Sequence, residues 1–397
     1  MNLKIRKRLS IIFSNSLNNL VLPISNVLVS FLVIHFASVE LWGEFVFLMI
    51  FVNLASQFLS FGNKEFLLRK FSQNPSLIPE TWKTVFLTRF SLVFLIIPFL
   101  SLSGFDLNIS VLVFLFVFAN FIHQSFNVLV IYERKFNFSV LVEIVSLVTI
   151  LGFIYFQKDQ LSLEFLVLIF TILTILKALA FTIFFWERVQ SKLKFSFDYQ
   201  ILLMCLPFFA LEVSGMLQSR TDLYCVAFFL TEAEVGKYQI LINFLIYFQA
   251  FANFLLVPFA KNVYRLNFES IQKITKKLSF FGILVIPIFI FTLNIVLENF
   301  YNFEFDYEIF IFGGLFVLPV YVYLPKIYFL YKTNLQNKVL LVNVLGVVLN
   351  GILNFYFIPR KGLLGALISS AISQWIMLFA YYFYENKLMR NNEITLS

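Results

Sequence analysis

Three ionisable residues stand inside one apolar stretch: Glu212, Arg220 and Asp222, within ILLMCLPFFALEVSGMLQSRTDLYCVAFFLTEAEVGKY at 201–238. A charge placed in hydrocarbon is costly, so an ionisable side chain there is a functional candidate. Four cations share that setting, Arg89, Lys177, Arg220 and Lys326, together with a further carboxylate, Glu143. Gathered around one space, the cations would form an electropositive lining suited to a phosphate-bearing or otherwise anionic substrate. Glu143, Glu212 and Asp222 would neutralise them or titrate during a working cycle. Two plainer readings compete. Arg89 lies about one and a half turns inside its helix end, from where a long side chain can snorkel to the interface. Arg220 and Asp222 could form a structural ion pair, although an i,i+2 spacing puts them on different helical faces.

Uncharged polar groups recur at helical spacing as well. Asn15, Asn19, Pro23, Asn26 and Ser30 fall on one face, as do Ser56, Gln57 and Ser60 with Asn53. Asn120, His123, Gln124 and Asn127 repeat the pattern, and so do Asn343, Gly346, Asn350 and Asn354. Asn243 and Tyr247 follow the charged stretch at 201–238. Small and amide residues also serve as packing contacts between helices in lipid. Matching faces on six segments favour a hydrated cavity between two halves of the chain.

The elements that carry these faces are membrane spans. The 397 residues are 60% hydrophobic and 13% charged, with a mean hydropathy of +0.87. A soluble domain is about half apolar and about a quarter charged. Apolar runs near 20 residues place spans at approximately 11–36, 44–61, 84–102, 109–132, 138–156, 162–186, 201–230, 236–260, 278–298, 307–331, 339–357 and 363–384. The resulting expectation is an all-α polytopic protein of about twelve transmembrane helices. Most of the 30 Lys and Arg fall at alternate ends of these spans, which puts both termini on the cytoplasmic side. The opposite loops hold only Lys158, Lys237, Arg360 and Lys361. That alternation accounts for the net charge of +8 without any nucleic-acid partner. The basic start at Lys4–Arg8 precedes a run too long for a signal peptide, so the first span is expected to be retained.

A weak internal repeat divides the chain. VELWGEF at 39–45 resembles EAEVGKY at 232–238, and FNFSVLVEIVSL at 136–147 resembles QNKVLLVNVLGV at 336–347. Both offsets map each span onto the sixth one after it, giving two parallel six-helix lobes, 1–196 and 197–397.

Several chemistries are excluded on sequence grounds. Cys205 and Cys225 share a span that holds them roughly 30 Å apart, beyond disulfide reach. His35 and His123 have no metal-type partners nearby in sequence, so neither a metal nor another cofactor is expected. No nucleotide-binding, serine-hydrolase or zinc-protease signature occurs, and no loop is large enough for a catalytic domain. A transporter rather than an enzyme is the expectation.

The stretch LP…RTDLYCVAFFLTEAEVGKYQ at 206–239 resembles the Pro…Asp…Val-Gly-x-Tyr signature of polysaccharide (Wzx-type) flippases. NVLGVVLNGILNFYFIPRKGLLGALISSAIS at 343–373, WGEF at 42–45 and SFGNKEFLLR at 60–69 are similar to that family too. The resemblance implies the multidrug/oligosaccharidyl-lipid/polysaccharide exporter superfamily, with two six-helix lobes and alternating access. It implies polyprenyl-pyrophosphate-linked oligosaccharides as substrates, moved across the bacterial inner membrane for O-antigen or capsule-type polymers. Membrane lipids, H+ or Na+ as coupling ion, and a polysaccharide polymerase complete the expected partners. Under that reading Arg89, Lys177, Arg220 and Lys326 attract the pyrophosphate. Asn19, Asn26, Asn120, Gln124, Asn343 and Asn350 face the sugars, and Glu212, Asp222 and Glu143 gate or couple. The inner-half cations do not match family positions one by one, so these roles rest on the residues themselves. A cation-coupled multidrug antiporter of the same fold is the alternative, disfavoured by the net-positive charge within the spans.

Overall fold

The computed structural model describes residues 3–102, 104–190, 197–256, 268–333 and 335–396, with side chains from residue 20 to 387 apart from 102, 254, 255 and 336. Among the described residues every regular element is helical. The α-helices are α1 (Leu3–Phe36), α2 (Val39–Ser60), α3 (Asn63–Gln73), α4 (Ile78–Phe90), α5 (Ile96–Leu102), α6 (Leu107–Glu133), α7 (Phe136–Phe156) and α8 (Leu163–Val189). They continue as α9 (Gln200–Phe229), α10 (Glu232–Leu256), α11 (Phe268–Tyr301), α12 (Tyr307–Lys332) and α13 (Gln336–Leu396). Nine helical segments of the described residues are long and apolar enough to cross a membrane.

Local chemistry explains where the helices start and stop. Ser38 and Ser162 cap α2 and α8, their hydroxyl oxygens accepting from Leu41 N at 3.1 Å and Phe165 N at 3.2 Å. At α10 the cap is reciprocal: Glu234 N donates to Thr231 Oγ1 at 3.4 Å, and Thr231 N donates to Glu234 Oε2 at 3.2 Å. Glu232 and Glu234 therefore stand in the first turn of α10, with Thr231 as its cap.

Three breaks shape the fold. The expected third span is interrupted by a 3-10 turn at Ser91–Leu95 between α4 and α5. α2 ends with Phe61 in the left-handed region, and Gly62 at φ 69° turns the chain directly into α3. A Cβ on Gly62 would lie 2.6 Å from Phe209 N and 2.8 Å from Cys205 O, so only glycine fits this elbow. The 61 residues of α13 are two helices meeting at Gly362, whose φ of 57° and ψ of −136° are non-helical. Its halves pack closely, since a Cβ on Gly346 would collide with Met377.

The chain forms two compact units, Met1–Val213 and Ser214–Ser397, with the boundary inside α9. In the first unit α6 packs on α8 and α1 on α7. An aromatic core there is built on Trp82, stacked 4.9 Å from both Phe86 and Phe126. In the second unit α12 packs against both α11 and α13. Lipid is as apolar as these side chains, so packing contacts and hydrogen bonds hold the helices together. α7 illustrates the division: Leu141, Val145 and Val148 face outward, while Ser146 and Ile150 are buried.

Candidate functional site

The polar faces of α2 and α6 converge in the first unit on a cavity of about 310 Å³. Gln57, Ser60, Asn63 and Lys64 line it from α2 and α3, Gln124 and Asn127 from α6, with Arg89 and Glu212. The i,i+3 spacing of Gln57 and Ser60 places both over the same point, and both donate to Glu212 Oε2, at 3.0 and 3.5 Å. Asn120, one turn before Gln124, donates instead to Ser56 Oγ at 2.8 Å, tying α6 to α2.

Arg89 does not reach toward an interface; it is buried, with 2% of its surface exposed. Its Nη1 donates to Leu59 O and Ser60 O, each at 3.1 Å, and Nη2 donates to Ser125 Oγ at 2.8 Å. The guanidinium thus satisfies the carbonyls that α2 leaves open at its C-terminus, where a cation is also favoured by the helix dipole. Its Nε–H has no partner among the described residues.

Lys177 and Glu143 form an ion pair, Nζ to Oε2 at 2.6 Å, joining α8 to α7. His123 Nε2 lies 3.9 Å from the other carboxylate oxygen. This cluster places one predicted cation and one predicted carboxylate against each other.

In the second unit Asp222 is the centre. It is 2% exposed and accepts at Oδ2 from Tyr238 Oη at 2.8 Å and Ser370 Oγ at 2.9 Å. Asn350 Nδ2 lies 3.4 Å from Ser370 Oγ, and Asn354 Nδ2 donates to Asn350 Oδ1 at 2.6 Å. Residues from α9, α10 and both halves of α13 therefore form one polar network around a buried carboxylate. Asn354 Oδ1 and Ser373 Oγ, two further buried polar atoms on α13, lack partners among the described residues. Arg220 and Asp222 do not pair with each other. Arg220 Nη1 donates to Asn243 Oδ1 at 2.7 Å, so both residues look to α10 for partners.

Lys326 is buried and paired with Glu385, and Tyr382 lies beneath its ammonium with the ring centroid at 4.3 Å. Asn343 accepts from Tyr381 Oη at 2.7 Å. Asn26 is half-buried on α1, while Asn19 lies outside the described side chains. Among the described residues no three His, Cys, Asp or Glu side chains gather as a metal site. Cys205 and Cys225 are free thiols.

Sequence reasoning missed Lys64, Tyr238, Ser370 and Glu385 as parts of these clusters. Lys64 and Glu385 lie at the ends of apolar runs, where charges are ordinary.

Solved membrane transporters share this arrangement of helices. Over 93% of its length the chain matches the lipid II flippase MurJ in an inward closed conformation, covering 87% of that chain with a TM-score of 0.69 at 16% identity. An inward-facing multidrug resistance MATE family transporter of the MOP superfamily matches 94% of the chain and is 96% covered, at TM-score 0.63 and 13% identity. A MOP superfamily transporter from Pyrococcus furiosus matches at TM-score 0.55 and 10% identity, with 95% and 94% covered. The fold is the one these transporters share. No family model matches the sequence, and no curated protein does. With its apolar helices, this likeness makes the chain a multi-pass membrane protein.

Proposed function

We propose that the protein is a flippase for polyprenyl-pyrophosphate-linked oligosaccharides, working by alternating access in the bacterial inner membrane for O-antigen or capsule-type polysaccharide. The observation that carries this reading is the cavity of the first unit, lined mainly by amides and hydroxyls. Gln57, Ser60, Gln124 and Asn127 offer both donors and acceptors, as sugar hydroxyls require. The carboxylates in the spans already have internal partners: Glu143 holds Lys177, Glu212 accepts from Gln57 and Ser60, and Asp222 accepts from Tyr238 and Ser370. An organic cation would have to displace those donors. The similarity in fold to a lipid II flippase supports a lipid-linked substrate.

On this reading twelve spans place both termini in the cytoplasm. The two halves of α13 count separately, and α1 and α10 join the segments already apolar enough to cross. Asp222 serves as the coupling carboxylate, exchanging H+ or Na+ within its hydroxyl and amide network, and Glu212 serves as the gate of the sugar cavity.

The multidrug antiporter remains the second reading because Glu212 brings a carboxylate into the cavity, and because MATE transporters share the fold. Proteoliposomes separate the two. The flippase reading expects a fluorescent polyprenyl-pyrophosphate oligosaccharide to change leaflet and ethidium to stay in place under an imposed H+ or Na+ gradient. Ethidium movement without lipid translocation would overturn it.

A further inference from the structure

We infer that the elbow between α2 and α3 is a phosphate-binding subsite of this cavity, with Lys64 as its cation. The inference rests on the flippase reading and deepens it. The cations in the spans are held elsewhere: Arg89 by the carbonyls of Leu59 and Ser60, Lys177 by Glu143, Arg220 by Asn243 and Lys326 by Glu385. A substrate with a phosphate needs a cation that can reach it. Lys64 lines the cavity with its side chain about half exposed, and among the described residues its ion pair is with Glu65, loose at 3.8 Å. Such an exposed pair is weak and easily exchanged for a stronger anion.

The backbone supplies the second component. α3 begins at Asn63 with no side-chain cap, and its first intrahelical bond is Phe66 N to Gly62 O. The amides of Asn63, Lys64 and Glu65 therefore have no partner within the helix, and such a helix start attracts phosphate. Gly62, fitted against the backbone of Cys205 and Phe209, fixes the direction of that start.

Two buried polar atoms at the same cavity lack partners, and they are the independent sign of a ligand. Asn63 is 3% exposed and Arg89 is 2% exposed. Among the described residues Asn63 Oδ1 and Arg89 Nε make no hydrogen bond, and both residues line the cavity. Turning the Asn63 amide over presents an N–H in place of the oxygen, and the two orientations are equivalent in shape. Lys64, the turned Asn63 amide and the amides of α3 then face an anion, while Glu212 stays held by Gln57 and Ser60. The cavity carries two cations against one carboxylate. The ligand class is a phosphate or diphosphate group, either borne by a lipid or free.

The test uses the full-length protein in phosphatidylcholine nanodiscs, titrated calorimetrically with farnesyl diphosphate and with inorganic pyrophosphate. Wild type is expected to bind, Lys64→Gln to bind at least tenfold more weakly, and Lys64→Arg to retain affinity. Glu65→Gln is expected to tighten binding severalfold by releasing Lys64. A preference for farnesyl diphosphate assigns a lipid-borne group; equal affinities assign a free anion. Unchanged affinity in both Lys64→Gln and Asn63→Ala, with melting temperatures near wild type, overturns the subsite. Binding that depends on Lys64 in a protein that moves no lipid-linked oligosaccharide leaves the subsite standing and removes the flippase reading. Lipid translocation untouched by Lys64→Gln does the reverse.

Discussion

Gln57 Nε2 donates to Glu212 Oε2 at 3.0 Å, across 155 positions of sequence. The contact fixes the first half of α9 to α2 in the lining of the cavity. Ser60 Oγ, at 3.5 Å, is the carboxylate's other donor there. Gln57→Leu is therefore expected to leave Glu212 with its weaker donor alone, at about 1–3 kcal/mol of stability. Glu212→Gln should fold near wild type, because an amide can keep one bond to each neighbour, yet lose lipid translocation. Thermal unfolding in detergent, set beside the proteoliposome assay, checks both outcomes.

Lys326 and Glu385 are a closed pair, with side chains 4% and 2% exposed. Removing one partner of a buried ion pair strands the other charge and costs about 3–5 kcal/mol. Lys326→Met and Glu385→Leu should each unfold at lower temperature, and the double variant should recover most of the loss. Translocation by the double variant at the wild-type rate would remove Lys326 from any role at the substrate.

Asp222 tests the coupling assignment. Asp222→Asn keeps a side chain of the same shape within the Tyr238 and Ser370 network and removes the charge. It should still reach the membrane, and its translocation should no longer respond to an imposed H+ or Na+ gradient. Tyr238→Phe removes one donor from a buried carboxylate, and a loss of about 1–3 kcal/mol is expected in a thermal melt.

Gly62 and Gly362, two of the positive-φ glycines, separate strain from collision. Gly362 has open space, its nearest neighbour to an added Cβ being Glu234 Oε1 at 3.9 Å. Gly362→Ala should cost the strain of a positive-φ extended backbone that is essentially reserved for glycine, about 1–3 kcal/mol. Gly62→Ala adds a collision with the backbone of Phe209 and Cys205, so its loss of folded yield should be clearly larger. Fluorescence-detection chromatography of the two variants makes the comparison.

The helical class and the apolar helices were legible because apolar length and spacing are local properties. The faces of α2 and α6 were legible for the same reason, since Gln57, Ser60, Gln124 and Asn127 repeat at helical intervals. The pairings were not. Lys177 and Glu143 are 34 positions apart, and Lys326 and Glu385 are 59 apart. Nothing in either local pattern distinguishes a cation awaiting a substrate from one already matched. Arg89 looked able to snorkel because distance from a helix end is visible in sequence, whereas the open carbonyls of α2 beside it are not. One signal lay in plain sight: Thr231 and Glu234 have capping-box spacing, which marks the start of α10.

The turn at Gly362 also bears on how the protein is made. The halves of α13 meet at a single non-helical residue, and the Met377 side chain of one half lies against Gly346 of the other. Neither half is complete against lipid until its mate is beside it. The pair should leave the insertion machinery as a single hairpin, late in synthesis. A bulky substitution at Gly346, larger than the Met377 side chain can yield to, would then appear as a failure of biogenesis, with chains degraded before transport can be measured.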